Sequence, residues 1–455
     1  MNKDLTVGKP ESVLWKFCIP LLGSVIFQQL YNIADSLIAG RCIGKQALAA
    51  VGNSYEITLI YLAFAFGCNI GCSVVVSRLY GAKQIRDMKT AISTTFIFTG
   101  ILCLALMLIG FNYGELMLKV INTPDDIFTP SLLYLNIYTL GLVFLFFYNI
   151  ATGIFSALGD SKTPFVFLAF SSVSNVLVDY IFVKYLHMGI AGVAWATFLC
   201  QGVSCVASLV VLFKRLKNTT HSGDKAEKTK LFSGKIFLAI IKIAIPSTLQ
   251  QSFISVGNIF IQGIINGFGS SVIAGYSAAI KLNNMVITTF SALGNGMSNF
   301  TAQNIGAGKN DRIKKGIFAG LKLAFLICVP VIIMYFFFGG FFVNIFMNKG
   351  DAHALKVGVD FLKVVAWFYL VISLKLVCDG VLRGTGSMTC FMIATFSDLI
   401  LRVLLAYKFS KLWGYIGIWS AWPVGWTIGT ILSIIFVSLI VRRLETNKES
   451  RYTYE

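Results

Sequence analysis

Two aspartates stand inside long apolar stretches of this chain with no Lys or Arg within four positions of either. Asp35 lies in QQLYNIADSLIAG, where Gln28, Asn32 and Asp35 are spaced i, i+4, i+7 and so share one helix face. Asp179 lies in SSVSNVLVDYIF, one turn after Asn175 and on the same face. An ionisable group at mid-membrane costs about 2.5–3.5 kcal/mol on insertion scales, so each one needs a reason to be there. Desolvation favours the neutral form of any carboxyl, and a second carboxyl nearby favours it further, which suits a group that takes up and releases a proton. Converging carboxylate, amide and hydroxyl oxygens would equally suit Na⁺. The competing role is structural: hydrogen bonds to Asn, Tyr or Ser neighbours that hold helices together.

The second half of the chain treats its acids differently. Lys375 and Asp379 are four apart, as are Asp398 and Arg402, so each acid has a base on its own helix. The place corresponding to Asp35 is taken by Ile261, with Gln262 beside it. Gln251, Ser255, Asn258 and Gln262 form a neutral polar stripe, which predicts the lining of a water-filled cavity opposite its first-half counterpart, Gln28 and Asn32. Asn149, alone among aromatics in VFLFFYNIATG, is a weaker candidate for the same lining. Pro20 and Pro246 each remove a backbone donor and permit a hinge in the first span of their half. Gly67 and Gly71 read as a small-residue packing face.

These residues are positioned by a chain that repeats itself. PLLGSVIFQQLYNIADSLIAG opens at Pro20 and PSTLQQSFISVGNIFIQGIING at Pro246. At nearly the same offset, YGAK pairs with IGAGK, GIFSALGDS with GVLRGTGS, and GIAGV with GYIGI. Apolar stretches of spanning length fall near 14–38, 53–77, 91–111, 131–155, 163–185 and 190–213, and again near 236–265, 277–303, 316–342, 358–382, 388–409 and 416–440. The expected fold is an all-α integral membrane protein with twelve transmembrane helices in two pseudo-symmetric six-helix lobes. Residues 1–213 form the first lobe, 214–235 a cytoplasmic linker, 236–441 the second lobe and 442–455 a cytoplasmic tail. Six spans per half make the repeats parallel, and tandem repeats in so apolar a chain point to a transporter with its path between them.

Composition excludes most other classes. Hydrophobic residues make up 56% and charged residues 13% of the 455, about half the charged share of a soluble domain. The formal charge of +18 is distributed by topology. Lys and Arg fall about three to one on the side of the N-terminus, which places both termini in the cytoplasm of a bacterial or archaeal cell membrane. No basic module interleaved with aromatics suggests nucleic acid as a partner. The three histidines are far apart and no nucleophile–base or metal-ligand pattern is present, so an enzyme, a cofactor and a resident metal are not expected. The cysteines sit in apolar runs without a CxxC pair and read as small packing residues.

QQLYNIADSLIAGRCIGKQALAAVG, SRLYGAK, GIFSALGDSKTP and GVLRGTGS, with the 6+6 layout, together resemble the multidrug and toxic compound extrusion (MATE) family, over essentially the whole chain, and most closely its DinF-like branch. The resemblance implies cation-coupled export by alternating access. It also implies a first-lobe coupling cluster of an Asp on span one, an Asn and Asp on span five and a Thr on span six. These fall on Asp35, Asn175, Asp179 and Thr197, the same four that would hold Na⁺ if Na⁺ is the coupling ion. The branch's bending proline falls on Pro20. Other branches place acids on span seven, where this chain has Gln250, Gln251 and Gln262 and no Asp or Glu.

The expected activity is antiport of H⁺ or Na⁺ against amphipathic or cationic organic compounds, performed by a monomer in the lipid bilayer. No GxxxxGK[ST] sequence suggests ATP use. The rival reading is a flippase for a lipid-linked glycan or related envelope precursor, which requires a basic cavity for phosphates; the spans offer few Lys or Arg without an acid nearby.

Overall fold

In hydrocarbon every backbone N–H and C=O must be satisfied within the segment, so each apolar stretch becomes a helix. The computed structural model describes residues 4–38, 45–218, 230–347 and 351–446, and within these leaves the side chains of 32–38 and 45–48 undescribed. The helices are α1 (Pro10–Ile38), α2 (Lys45–Gly81), α3 (Ile85–Val120), α4 (Asp125–Leu140), α5 (Leu142–Ala157), α6 (Lys162–Tyr180) and α7 (Gly189–Asn218). They continue with α8 (Gly234–Asn266), α9 (Ser270–Gly306), α10 (Asp311–Ile345), α11 (Ala352–Ala366), α12 (Tyr369–Thr385), α13 (Met388–Trp413) and α14 (Tyr415–Thr446).

Among the described residues nine helices are individually long and apolar enough to span: α1, α2, α3, α6 with the residues that follow it, α7, α8, α10, α13 and α14. Two of the twelve expected spans are broken. The fourth is α4 and α5, bent by 47° at Gly141, and the tenth is α11 and α12, bent by 55° at Trp367–Phe368. The remaining span, α9, is 37 residues long but too polar to score as apolar. Its Asn283, Ser298, Asn299, Thr301, Gln303 and Asn304 are buried in protein, where polar groups are tolerated at membrane depth. The twelve-span, two-lobe architecture expected from the repeat is therefore the fold observed.

The described residues group into two compact units, one running from Gly23 to Thr248, the other comprising Leu5–Leu22 and the chain from Leu249 onward. The passage from one unit to the other thus falls two residues after Pro20 in α1 and two residues after Pro246 in α8. Within the first unit, the opening half of α8 seats in a small-residue groove on α2: a Cβ on Gly71 would come within 2.8 Å of the Ile240 carbonyl oxygen, and one on Gly67 within 2.8 Å of that of Ala244. Within the second unit, the opening half of α1 seats on α9, where a Cβ on Gly296 would meet Cys18 Sγ at 2.6 Å. The segments leading into these helices are fastened too. Ser93 Oγ donates to Leu231 O at 2.7 Å and Ser233 N–H to Thr94 Oγ1 at 3.1 Å. In the second unit Arg312 donates to Gly8 O at 2.7 Å, and Leu5 N–H to Gln303 Oε1 at 3.0 Å.

The two cores differ in filling. The first is mostly aliphatic, with Ile57, Leu106, Leu118, Leu135, Leu142 and Leu145 packed around Tyr61 and Phe146. The second is aromatic: Tyr276 stacks on Trp419 at 5.2 Å, and Phe361 meets the same indole edge-on at 5.2 Å. The nine described cysteines are free, eight of them buried, as small packing residues.

Candidate functional site

Asn175 and Asp179 on α6 and Thr197 on α7 come together in the first unit, all three buried. With its amide turned so that nitrogen faces the acid, Asn175 donates to Asp179 Oδ2 at 2.8 Å, and its oxygen accepts from the Thr197 backbone N–H at 3.2 Å. That oxygen also lies 3.5 Å from Thr197 Oγ1. The four-residue spacing seen in the sequence is what stacks the amide on the carboxylate. The hydroxyl of Tyr31, from α1, is 3.4 Å from Thr197 Oγ1. Asp35 and Asn32 lie on α1, but their side chains are outside the described residues.

Three features of this cluster were not anticipated. Tyr31 joins it; its place four residues before Asp35 in the sequence was the available signal. Cys200, one turn beyond Thr197, adjoins Asn175 and Asp179. The backbone after α6 also widens: Ile181–Tyr185 is a π-helical turn, closed by Leu186 N–H donating to Ile181 O at 3.1 Å. Such turns concentrate at functional sites, and this one begins two residues after Asp179. Lys184 within it donates to the Tyr180 hydroxyl and lies 4.8 Å over that ring.

The other singled-out residues are dispersed. Gln28 on α1 is exposed. Asn149 on α5 donates back to Leu145 O at 2.8 Å, and its carbonyl accepts from Asn69 Nδ2 at 2.6 Å, so it braces α5 against α2. On α8, Gln251, Ser255, Asn258 and Gln262 are all half-buried along one stripe. Ser255 donates to Gln251 O at 3.3 Å and Gln262 to Asn266 Oδ1 at 2.8 Å. Pro20 and Pro246 sit inside unbroken helices, each removing the bond to a lysine carbonyl four residues back, Lys16 and Lys242.

The second unit contains buried charge of another kind. Lys375 Nζ donates to Asp379 Oδ2 at 2.7 Å, and Ser433 Oγ to Asp379 Oδ1 at 2.7 Å. Arg402 pairs with Asp398 at 3.7 Å and stacks over Trp422 at 4.5 Å. Both same-helix pairs expected from the sequence form.

A further ionic contact escaped the sequence reading. Asp160, in the turn between α5 and α6, accepts from the backbone N–H of Lys162 and Thr163 at 3.0 and 3.1 Å and from Thr163 Oγ1 at 2.6 Å. It also pairs with Arg215 near the end of α7. Burial pushes this carboxyl up, but the hydrogen bonds from Thr163 and Arg215 outweigh it and hold the group below the usual carboxylate range. The signal was local: an acid two residues ahead of the first helical N–H groups.

A family model described as MatE matches the chain twice, over residues 20–181 and 246–408. The chain belongs to the MATE family. The two matches begin at Pro20 and Pro246, the same duplication seen in the bare sequence. Among its relatives, the probable multidrug resistance protein YpnP of Bacillus subtilis (strain 168) is 31% identical over 439 residues, which is 96% of this chain and 94% of that protein. The probable multidrug resistance protein YoeA of the same organism is 26% identical over 443 residues, covering 94% of each. A solved structure, the outward-facing conformation of a multidrug resistance MATE family transporter of the MOP superfamily, shares the fold at a TM-score of 0.90 with 21% identity. It covers 98% of this chain and 99% of that one. The protein is thus a multi-pass membrane protein of a transporter family.

Proposed function

We propose that this MATE protein is an antiporter that exports amphipathic organic compounds, cations among them, driven by inward movement of H⁺ or Na⁺ through its first lobe. The observation that carries the reading is the buried cluster of Asn175, Asp179 and Thr197, joined by Tyr31, in a family whose named relatives include multidrug resistance proteins. Asp35 and Asp179 exchange the coupling ion, while Asn175 and Thr197 orient the Asp179 carboxylate and supply neutral oxygens for Na⁺ if that is the ion. Asn175 donates to Oδ2 of Asp179 and so fixes the orientation of the carboxylate. Gln28, Asn32, Asn149, Gln251, Ser255, Asn258 and Gln262 contribute polar lining to the substrate path. Pro20 and Pro246 serve as hinges during alternating access, and both termini face the cytoplasm. One elementary charge moving down about 100 mV releases about 2.3 kcal/mol, roughly a 50-fold gradient, enough for export.

The test is uptake of a cationic dye into inverted membrane vesicles, with pH and sodium gradients imposed separately. One gradient alone should support uptake, and Asp35→Asn should abolish it in protein that remains monodisperse in detergent. Full gradient-driven uptake by Asp35→Asn would overturn the assignment.

A further inference from the structure

At the opening turns of α1 and α10, wholly within the second unit, lies a cavity of about 700 Å³. Its size is within the roughly 300–1,000 Å³ range of small-molecule sites. Four lysines line it, Lys9, Lys16, Lys315 and Lys322, with one acid, Glu11, a formal balance of +3. Lys322 is engaged, donating to Glu11 Oε1 at 2.7 Å with its ammonium 5.6 Å over the Trp15 ring. Lys9, Lys16 and Lys315 form no ion pair among the described residues. The Trp15 indole is itself fixed, its N–H donating to Ala319 O at 2.9 Å, so the pocket has a rigid aromatic wall. Beside the lysines, Ile19 and Phe318 are 56% and 65% exposed.

The two helices are 29 and 35 residues long, more than the about 20 needed to cross the hydrocarbon, so their first turns reach headgroup level. Free ammonium groups at that level, an interfacial tryptophan and exposed apolar side chains adjoining them match one ligand chemistry: a phosphodiester with two acyl tails. We propose that this cavity binds the headgroup of an anionic phospholipid. Lys9, Lys16 and Lys315 hold the phosphate, and Ile19 and Phe318 carry the acyl chains. The Glu11–Lys322 pair limits the charge of the pocket, and Trp15 shapes it. The helix so engaged is the one that carries Pro20, one residue beyond Ile19.

The full-length protein in detergent is titrated with phosphatidylglycerol or phosphatidylcholine, and bound lipid is counted by native mass spectrometry. Phosphatidylglycerol should bind at least tenfold more tightly than phosphatidylcholine. Lys16→Gln with Lys315→Gln should bring the two lipids level, while Lys230→Gln with Lys235→Gln should leave the preference intact. Glu11→Gln should strengthen phosphatidylglycerol binding by releasing Lys322, which keeps the site testable even if the double lysine variant misfolds. A millimolar excess of inorganic phosphate should not displace the lipid, since it lacks the tails. Equal binding of the two lipids, loss of preference in the control pair, no gain in Glu11→Gln, or displacement by phosphate would each overturn the proposal. None of these readouts depends on transport, so they stand or fall separately from the antiport reading.

Discussion

The carboxylates buried within the spans of the two repeats meet different partners. In the first unit Asp179 is met by the Asn175 amide, with Thr197 and Tyr31 close by. In the second, Asp379 is held at 2.7 Å by an ammonium and at 2.7 Å by a hydroxyl, and Asp398 faces a guanidinium. Duplication supplied the same helices twice: α6 carries Asn175 and Asp179 in the first half, while its counterpart α13 carries Asp398 with Arg402, and α12 adds Lys375 with Asp379. A salt bridge fixes a carboxylate in one protonation state, whereas an amide or hydroxyl partner tolerates either.

The comparison breaks most visibly in transport. Asp179→Asn should abolish gradient-driven dye uptake, whereas Lys375→Met with Asp379→Leu, which removes both charges, should retain it. The reverse pattern in inverted vesicles would move coupling to the second lobe. Stability should order these sites differently. Lys375→Met alone leaves a carboxylate buried without its cation and should cost about 3–5 kcal/mol, read as a large drop in thermal unfolding temperature in detergent. The double variant should recover most of that loss. If the single and double variants melt together, the pair contributes little and its charge is not buried in the way described.

The smallest effect concerns the Asp160 clasp. Asp160→Asn should cost roughly 1–2 kcal/mol by weakening the ties to Thr163 and Arg215. Because the folded carboxyl titrates below its unfolded value of about 3.9, this contribution is present above that pH and fades as the pH falls through the folded value. The gap between wild type and Asp160→Asn should therefore hold from neutrality to about pH 4 and close below it. A gap that closes between pH 8 and 6 would assign the effect to another group.

The architecture was legible in the sequence for a physical reason: the bilayer forces every span to declare itself by length and apolarity. The duplication revealed what hydropathy hid. α9 carries too many Asn, Ser and Gln to register as a span on its own, but its place opposite α2 in the repeat demanded one. The Lys375–Asp379 and Asp398–Arg402 pairs were equally readable, since four residues along a helix fix who meets whom. Tertiary detail was not readable. The bend at Trp367–Phe368 has neither Pro nor Gly to mark it. The π-helical turn after Asp179 depends on packing that no short pattern encodes. The meeting of Tyr31 with Thr197, 166 positions apart, follows from how α1 lies on α7. The prolines marked where α1 and α8 change, but not that each helix begins among the residues of the other half.

That last arrangement bears on how such a chain could arise. A gene encoding one repeat would make a polypeptide whose first helix has its groove on another molecule, with Gly71 and its neighbours left bare until a second copy lent its leading segment. The founding state would have been an intertwined homodimer, obligate from birth, with fusion of the two copies turning a concentration-dependent assembly into an intramolecular one. Expressing 1–230 and 231–455 as separate fragments should recreate that dependence, each piece insoluble by itself and rescued by the other.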